Sequence, residues 1–352
     1  MAVRAGFGIA SFPFDAPRSW FEWVQLLERY RVDSVWQTDR LVSVDPYLEA
    51  VSVMATLAGC TERIKFGMNA IVAPLRDPLV LAKQCATIDY LSNGRLLPMF
   101  GVGYPNAIEW RTTNRDASDR GARSTEIFTL LNMLWTQESV DFEGKFYQYR
   151  NASITPRPIQ QPLPLWIGGN AEPALKRTAK LGTGWIGGIA TVAQVGHAIT
   201  TIRTESTALG RKIDDDHYGT SLAFRIGTLD DPAVGQFPLV RRAGIGDEID
   251  LKPLLAVGTV QEIIAKIEAY KAVGASKFVL LPIALAAGAA TLVQAVTSFV
   301  LSQILGVAAQ RAITDMRKRV QARIMHLPVR YFDSTQTGVL FSDRKSTRLN
   351  SS

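Results

Sequence analysis

RIKFGMNAIVAPLRDPLVLAKQCATIDYLSNGRLLPMFGVG, residues 63–103, holds one full repeat of the pattern that decides the fold. RIKFGMNAIV (63–72) is a short apolar run and reads as a buried strand. From Pro78 onward, Leu81, Cys85 and Ile88 fall at i, i+4 and i+7, one face of a helix. RLLPMFGVG (95–103) then reads as the next strand.

The same alternation extends in both directions. GFGIA (6–10) precedes a helical run around Phe21, Val24 and Leu27, and SVWQT (34–38) precedes one over 46–58. Past residue 103 come Ile127, Leu130, Leu131 and Leu134 at helical spacing. PLWIGG (164–169) leads to 172–181, and GWIGG (184–188) to 191–209. SLAFRIG (221–227) leads, after a loop, to Val260, Ile264 and Ile267, and KFVLLP (277–282) is the eighth strand. Eight strand–helix repeats predict parallel strands with crossover helices, an α/β chain folded as a (β/α)8 TIM barrel. An open doubly wound sheet would carry a glycine-rich dinucleotide turn early, and GFGIASFP lacks one. VDFEGKFYQYRNASI (140–154) reads as a hairpin around Gly144, and 227–258 as a long loop that shapes the pocket.

The chain has 352 residues with 39 basic and 32 acidic side chains, a net charge of +7. Nine of the basic and three of the acidic residues lie in 284–352, leaving 30 against 29 in residues 1–283. The barrel is therefore nearly neutral, which argues against a nucleic-acid partner. Two cysteines, Cys60 and Cys85, exclude a disulfide scaffold, and the separation of His197, His217 and His326 leaves no His-x-x-x-His metal pair. His197 and His217 read as surface residues. MAVRAGFGIA lacks a signal-peptide pattern, so a cytoplasmic barrel is expected. No charged residue occurs between Phe278 and Gln310, and TLVQAVTSFVLSQILGVAAQ (291–310) matches the roughly 20 residues that span a bilayer as a helix.

Barrel enzymes place their chemistry at the C-terminal ends of the strands. Strand two ends in Thr38-Asp39-Arg40, and strand three in Met68-Asn69-Ala70. Strand four ends in Gly101-Val102-Gly103, with Glu109 beyond it. Strand five ends in Gly168-Gly169-Asn170, and strand six in Gly187-Gly188 with Thr191 at a helix start. Glycines on three successive rims let a flat ligand approach the backbone, and Gly-Gly-Asn before a helix exposes amides to an anion. Asp39 is a candidate proton acceptor or ring partner; a salt bridge to neighbouring Arg40 is the plainer alternative. Glu109 is a second candidate acid, or simply an acid in the first turn of a helix. Trp135, Trp166 and Trp185 read as packing residues.

RDPLVLAKQCATIDYLSNGR, PRPIQQPLPLWIGG and VGTVQEIIAKIEAYKAVGASKFVLLP together resemble the luciferase-like monooxygenase family over about residues 4–283. The resemblance implies a (β/α)8 barrel with FMN or coenzyme F420 across the strand ends, and a small-molecule substrate. It places Asp39 beside the ring, and Asn69 and Ala70 beneath it at a non-prolyl cis peptide. It places Gly101, Gly103, Gly168, Gly169 and Asn170 at the ring-side turns, and Gly187, Gly188 and Thr191 at the phosphate-side turn. Many members carry His after the strand-two acid; here Arg40 stands there, a departure that bears on a histidine-based proton relay and leaves the implied cofactor binding intact. FMN would imply oxygen chemistry and a partner flavin reductase, F420 a hydride transfer without oxygen. A homo-oligomer is expected. The tail at 284–342, with HLPVRYFD and a basic flank from Arg311 to Arg319, resembles a transmembrane and coupling-helix fragment of an ABC exporter. DRKSTRLNSS, residues 343–352, resembles a translated sequencing adaptor, so the whole reads as a chimera joined near Ile283.

Overall fold

A computed structural model of the chain describes residues 3–9, 14, 16–237, 240 and 250–283. The exporter-like and adaptor-like segments expected at 284–342 and 343–352 lie outside the described residues. Among the described residues, no helix is long and apolar enough to cross a membrane.

The expected strands close into a ring. β1 (Arg4–Ile9) pairs in parallel with β2 (Ser34–Gln37), and β2 with β3 (Lys65–Met68). The third barrel strand comes in two pieces, β3 and β4 (Ile71–Val72), and so does the fourth, β5 (Leu96–Leu97) and β6 (Met99–Gly101). Pro98 falls at the second break, where a missing N–H costs the ladder least. β3 pairs with β5 and β4 with β6, so both strands stay joined across their breaks. After the antiparallel hairpin of β7 (Val140–Glu143) and β8 (Gln148–Ala152), parallel pairing resumes through β9 (Trp166–Gly168), β10 (Gly184–Gly187) and β11 (Tyr218–Ile226). β12 (Ala256–Gly258) adds to the end of β11. β13 (Lys277–Pro282) pairs with β11 on one side and β1 on the other, which completes an eight-stranded (β/α)8 barrel.

The crossover helices are α1 (Pro17–Arg29), α2 (Ala50–Cys60), α3 (Pro78–Leu91), α4 (Ile108–Thr112), α5 (Arg120–Thr136), α6 (Glu172–Leu181), α7 (Val192–Ala208), α8 (Pro232–Gln236) and α9 (Val260–Ala272). Five of their starts are set by side-chain caps. Asp77 accepts from the Val80 N–H, with Pro78 in the first turn of α3. Thr191 and Gln194 form a capping box on α7, and Thr259 and Glu262 form one on α9. α2 begins at Ala50 rather than at Pro46, because Glu49 caps it by accepting from Ser52 N. The expected long loop at 227–258 is not featureless: it contains α8, capped by Asp231, and β12.

Leu81, Cys85 and Ile88 are buried with Leu57, Leu131 and Trp135 in the layer between helices and barrel wall. Inside the barrel, Trp36 is fully buried. Gly6 and Gly67 on the flanking strands leave room for it: a Cβ on either would lie 2.8 or 2.7 Å from the indole. The indole Nε1 donates to Ser34 Oγ at 3.0 Å, and the Lys277 ammonium lies 5.8 Å from the ring centroid while pairing with Asp33 at 3.2 Å. The barrel interior is thus packed, and its open chemistry is left to the strand ends. His197 is exposed as expected, but His217 is half-buried: its ring packs on Trp166 and its Nδ1 lies 2.8 Å from Thr183 O.

Candidate functional site

The breaks in strands three and four build the floor of the C-terminal mouth. The Asn69–Ala70 peptide between β3 and β4 is cis and non-prolyl, as the family resemblance implies. Asn69 Nδ2 donates to Ser221 Oγ at 3.0 Å, which ties the third strand to the seventh across the mouth. The Ala70 side chain faces the ends of strands four and five. A Cβ built on Gly101 would lie 3.6 Å from Ala70 Cβ, and one on Gly168 3.7 Å from the same atom. Ala70, Gly101 and Gly168 therefore converge on one patch of small residues.

The remaining glycines divide by role. Gly103 (φ +77°) and Gly169 (φ +113°) take left-handed backbone that their turns require. Gly187 is buried against the Trp185 ring and Asn170 Oδ1, so Cβ atoms are excluded there by packing. Gly188 is exposed, and a Cβ on it would meet nothing within 4 Å. Thr191 is engaged in its own helix: its hydroxyl accepts from Gln194 N and its N–H donates to Gln194 Oε1. Gly169 and Asn170 are exposed at the rim, where Gly169 O accepts from Trp185 Nε1 at 2.9 Å.

The two candidate acids differ sharply. Asp39 does not pair with Arg40. Its buried carboxylate accepts from Arg76 Nη1 at 2.6 Å, from Arg76 Nη2 at 2.8 Å and from Val72 N at 3.0 Å. Arg76 comes from the turn after β4, and a guanidinium fork matches a carboxylate better than a neighbour on the same strand can. Arg40 instead pairs with Glu109 at 3.2 Å, with Glu109 in the first turn of α4 and nearly fully buried. That pair is under-coordinated: Glu109 Oε2 and Arg40 Nε are buried with no hydrogen-bond partner.

Arg76 also donates to Glu49 Oε1 at 2.9 Å. Burial alone would raise the Glu49 pKa, but the bonds from Arg76 and Ser52 overcome it and hold the carboxyl below its ordinary 4.5. Burial likewise opposes the charge on Arg76, and Asp39 and Glu49 more than offset it, so the Arg76 pKa rises. A depressed carboxyl contributes stability above its unfolded pKa and loses it as pH falls through its folded value. Thermal midpoints measured below pH 4.5 should therefore fall more gently with acid in Glu49→Gln than in the parent chain.

Ser221, Arg76 and Thr220, whose hydroxyl donates to Gly188 O at 3.2 Å, escape a reading of the strand ends. Two adjacent hydroxyl residues in the middle of the strand YGTSLAFRI are the one signal that pointed to Thr220 and Ser221. Among the described residues, Asp214, Asp216 and His217 bring metal-capable atoms within 4.8 Å of one another. They precede β11, at the opposite end of the strands, and Asp216 is paired with Arg4.

The model of the luciferase-like monooxygenase family matches residues 5–245. The chain belongs to that family. A luciferase-like barrel is thus expected to reach beyond the matched span, and it does: α9 and β13 supply its last helix and strand. A second family model, the ABC transporter transmembrane region, matches residues 258–343, which overlaps those two barrel elements. The F420-dependent glucose-6-phosphate dehydrogenase of Amycolatopsis mediterranei (strain U-32) is 30% identical over 196 residues, covering 52% of this chain and 57% of that one. An uncharacterized protein of Mycobacterium tuberculosis (strain ATCC 25618 / H37Rv), Rv0940c, is 31% identical over 144 residues, covering 41% and 49%. The chain spans about half the length of these curated relatives. Among solved structures, an F420-dependent secondary alcohol dehydrogenase in complex with an F420-acetone adduct superposes with a TM-score of 0.69 at 18% identity, covering 80% of this luciferase-like chain and 94% of that one. Monooxygenase RslO1 from Streptomyces bottropensis gives 0.70 at 19%, covering 86% and 99%. At these identities the likeness is one of fold.

Proposed function

We propose that this chain is an oxidoreductase that binds coenzyme F420 or FMN at the C-terminal mouth of its barrel and acts on a small organic substrate. The observation that carries the reading is the convergence of Ala70, Gly101 and Gly168 on one small-residue patch. Such a surface suits a planar ring, because Ala70, Gly101 and Gly168 let it approach the backbone, with the Met99 side chain beside Gly168. F420 is favoured over FMN, since the curated relatives that match at about 30% identity include F420-dependent dehydrogenases. When bound, the deazaflavin ring supplies hydride transfer. The chain's own residues supply orientation and proton handling.

Of the two acids, Glu109 is the proposed proton-transfer group. Asp39 has both oxygens occupied by Arg76 and Val72, whereas Glu109 keeps Oε2 without a protein partner. Arg40 cannot shuttle a proton, because a guanidinium stays protonated across the working range. Its role is to fix the Glu109 carboxylate at the mouth. Glu109→Gln should lower kcat by about 10²–10⁴-fold, the usual worth of a positioned acid–base group. Cofactor affinity should stay within about threefold of the parent, less than half the ~1.4 kcal/mol of a tenfold change. Steady-state kinetics with cofactor titration test this, and an unchanged kcat would remove Glu109 from the chemistry.

A second reading concerns the C-terminal segment alone. The match of residues 258–343 to an ABC transporter transmembrane region supports a membrane-transport sequence after the barrel, although the match already takes in α9 and β13, ahead of a junction near Ile283. Long-read sequencing of the source locus tests it: one continuous gene across residues 275–352 would contradict a junction.

A further inference from the structure

The mouth contains a buried guanidinium that the proposed chemistry does not use. Arg76 sits in the turn after β4 with its side chain only 12% exposed, and it bridges two carboxylates from different elements. One is Asp39 at the end of β2, with a side chain 1% exposed. The other is Glu49, which caps α2 through Ser52 N at 2.7 Å and Ser52 Oγ at 2.9 Å. Asp39 in turn accepts from Val72 N, on the short strand that follows the cis Asn69–Ala70 peptide. The segment 69–72 is thus pinned at three points: at Asn69 by Ser221, at Val72 by Asp39, and just beyond it by Arg76 itself.

That segment carries Ala70, whose methyl group defines how close a ligand comes to Gly101 and Gly168. We infer that Arg76 is a positioning residue of the cofactor site, and that it acts through Asp39 and Val72 to hold Ala70 at the height the ring requires. This inference rests on the proposed cofactor reading. It assigns Asp39 a supporting role beneath the site, since its bonds to Arg76 and Val72 take up both carboxylate oxygens. A lysine at 76 would keep the charge but lose the fork that reaches Asp39 and Glu49 together.

The test uses the full chain and equilibrium titration with F420 and with FMN, reading dissociation constant and stoichiometry separately, together with the visible circular dichroism of the bound cofactor. Arg95 serves as the control. It is an equally enclosed guanidinium at the opposite end of the strands, bonded to the carbonyls of Ala58, Thr61, Ile64 and Ser92. Arg76→Ala should raise the dissociation constant at least tenfold per folded site and alter the dichroism of what binds, and Arg76→Lys should recover part of the loss. Arg95→Lys should lower the thermal midpoint and leave both readouts at parent values. A purely structural role predicts instead that Arg76→Ala loses sites without changing the affinity of those that remain, and that result overturns the inference. If Arg76→Ala does not fold, Arg76→Lys decides alone: parent affinity with a lowered midpoint overturns the inference. Failure of the parent chain to bind either cofactor is a separate outcome, which refutes the functional reading on which the inference stands.

Discussion

Gly101→Leu should weaken cofactor binding at least a hundredfold while leaving the barrel folded. Gly101 closes β6 with backbone angles that any residue adopts, and a Cβ there would make only ordinary contact, 3.6 Å from Ala70 Cβ and 4.0 Å from Ile71 O. The protein itself therefore tolerates a side chain at this position. The added isobutyl group must occupy the space above Ala70, between the ends of strands four and five. A hundredfold loss corresponds to about 2.7 kcal/mol, which a ring lifted off its floor readily forfeits. Gly168 is a poorer place for the experiment, since a Cβ there would lie 2.6 Å from Met99 Cε and would displace that side chain as well as fill the site. Equilibrium titration beside a thermal melt reads both quantities. Parent affinity in folded Gly101→Leu would show that the ring does not lie on this patch.

The largest effect on stability is expected at Trp36. Its indole is fully enclosed inside the barrel, with Gly6 and Gly67 cut back on either side to admit it and Lys277 lying near its face. Trp36→Ala removes the interior's largest filler and leaves Ser34 and Lys277 facing a void. Neighbouring strands cannot collapse inward, because the hydrogen-bonded ring fixes their spacing. A cost of about 3–5 kcal/mol is expected, the usual range for truncating a buried aromatic. Chemical denaturation of parent and variant measures it. A shift below about 1 kcal/mol would mean that the interior repacks, contrary to the jigsaw character of such cores.

The fold was legible because the barrel strands are apolar and several are followed by a helix with a clear buried stripe, as at Leu81, Cys85 and Ile88. α9 departs from this, with Val260 and Ile264 exposed and Tyr270 buried. The hairpin at 140–154 was equally open to reading, since Gly144 punctuates two alternating runs. The start of α2 was misplaced because Pro46 resembles a helix opener, whereas the real cap is Glu49, a residue type whose capping is seen only once its carboxylate meets Ser52. In the loop at 227–258, α8 and β12 were hidden because each is too short to establish a period.

At the site, the glycine-rich strand ends stood out in the sequence, and several have a local use, as at the left-handed turns of Gly103 and Gly169. The ion pairs did not. Adjacent Asp39 and Arg40 invite a local pairing, yet each reaches across to a different element, Asp39 to Arg76 and Arg40 to Glu109. Both residues lie just past the end of β2, and their partners come from elements well separated in sequence. Sequence spacing carries no trace of such long-range pairing. Ser221 was missed for the same reason, since its partner Asn69 lies on the far side of the mouth.

The central claim is that the C-terminal mouth of this barrel binds a flavin-type cofactor. Its most direct test is fluorescence titration of the full chain with F420 and, separately, with FMN, each in oxidised and reduced form. Saturable binding of one of them near one per chain, abolished by Gly101→Leu, is the predicted result. A folded parent chain that binds neither in either redox state would contradict the claim.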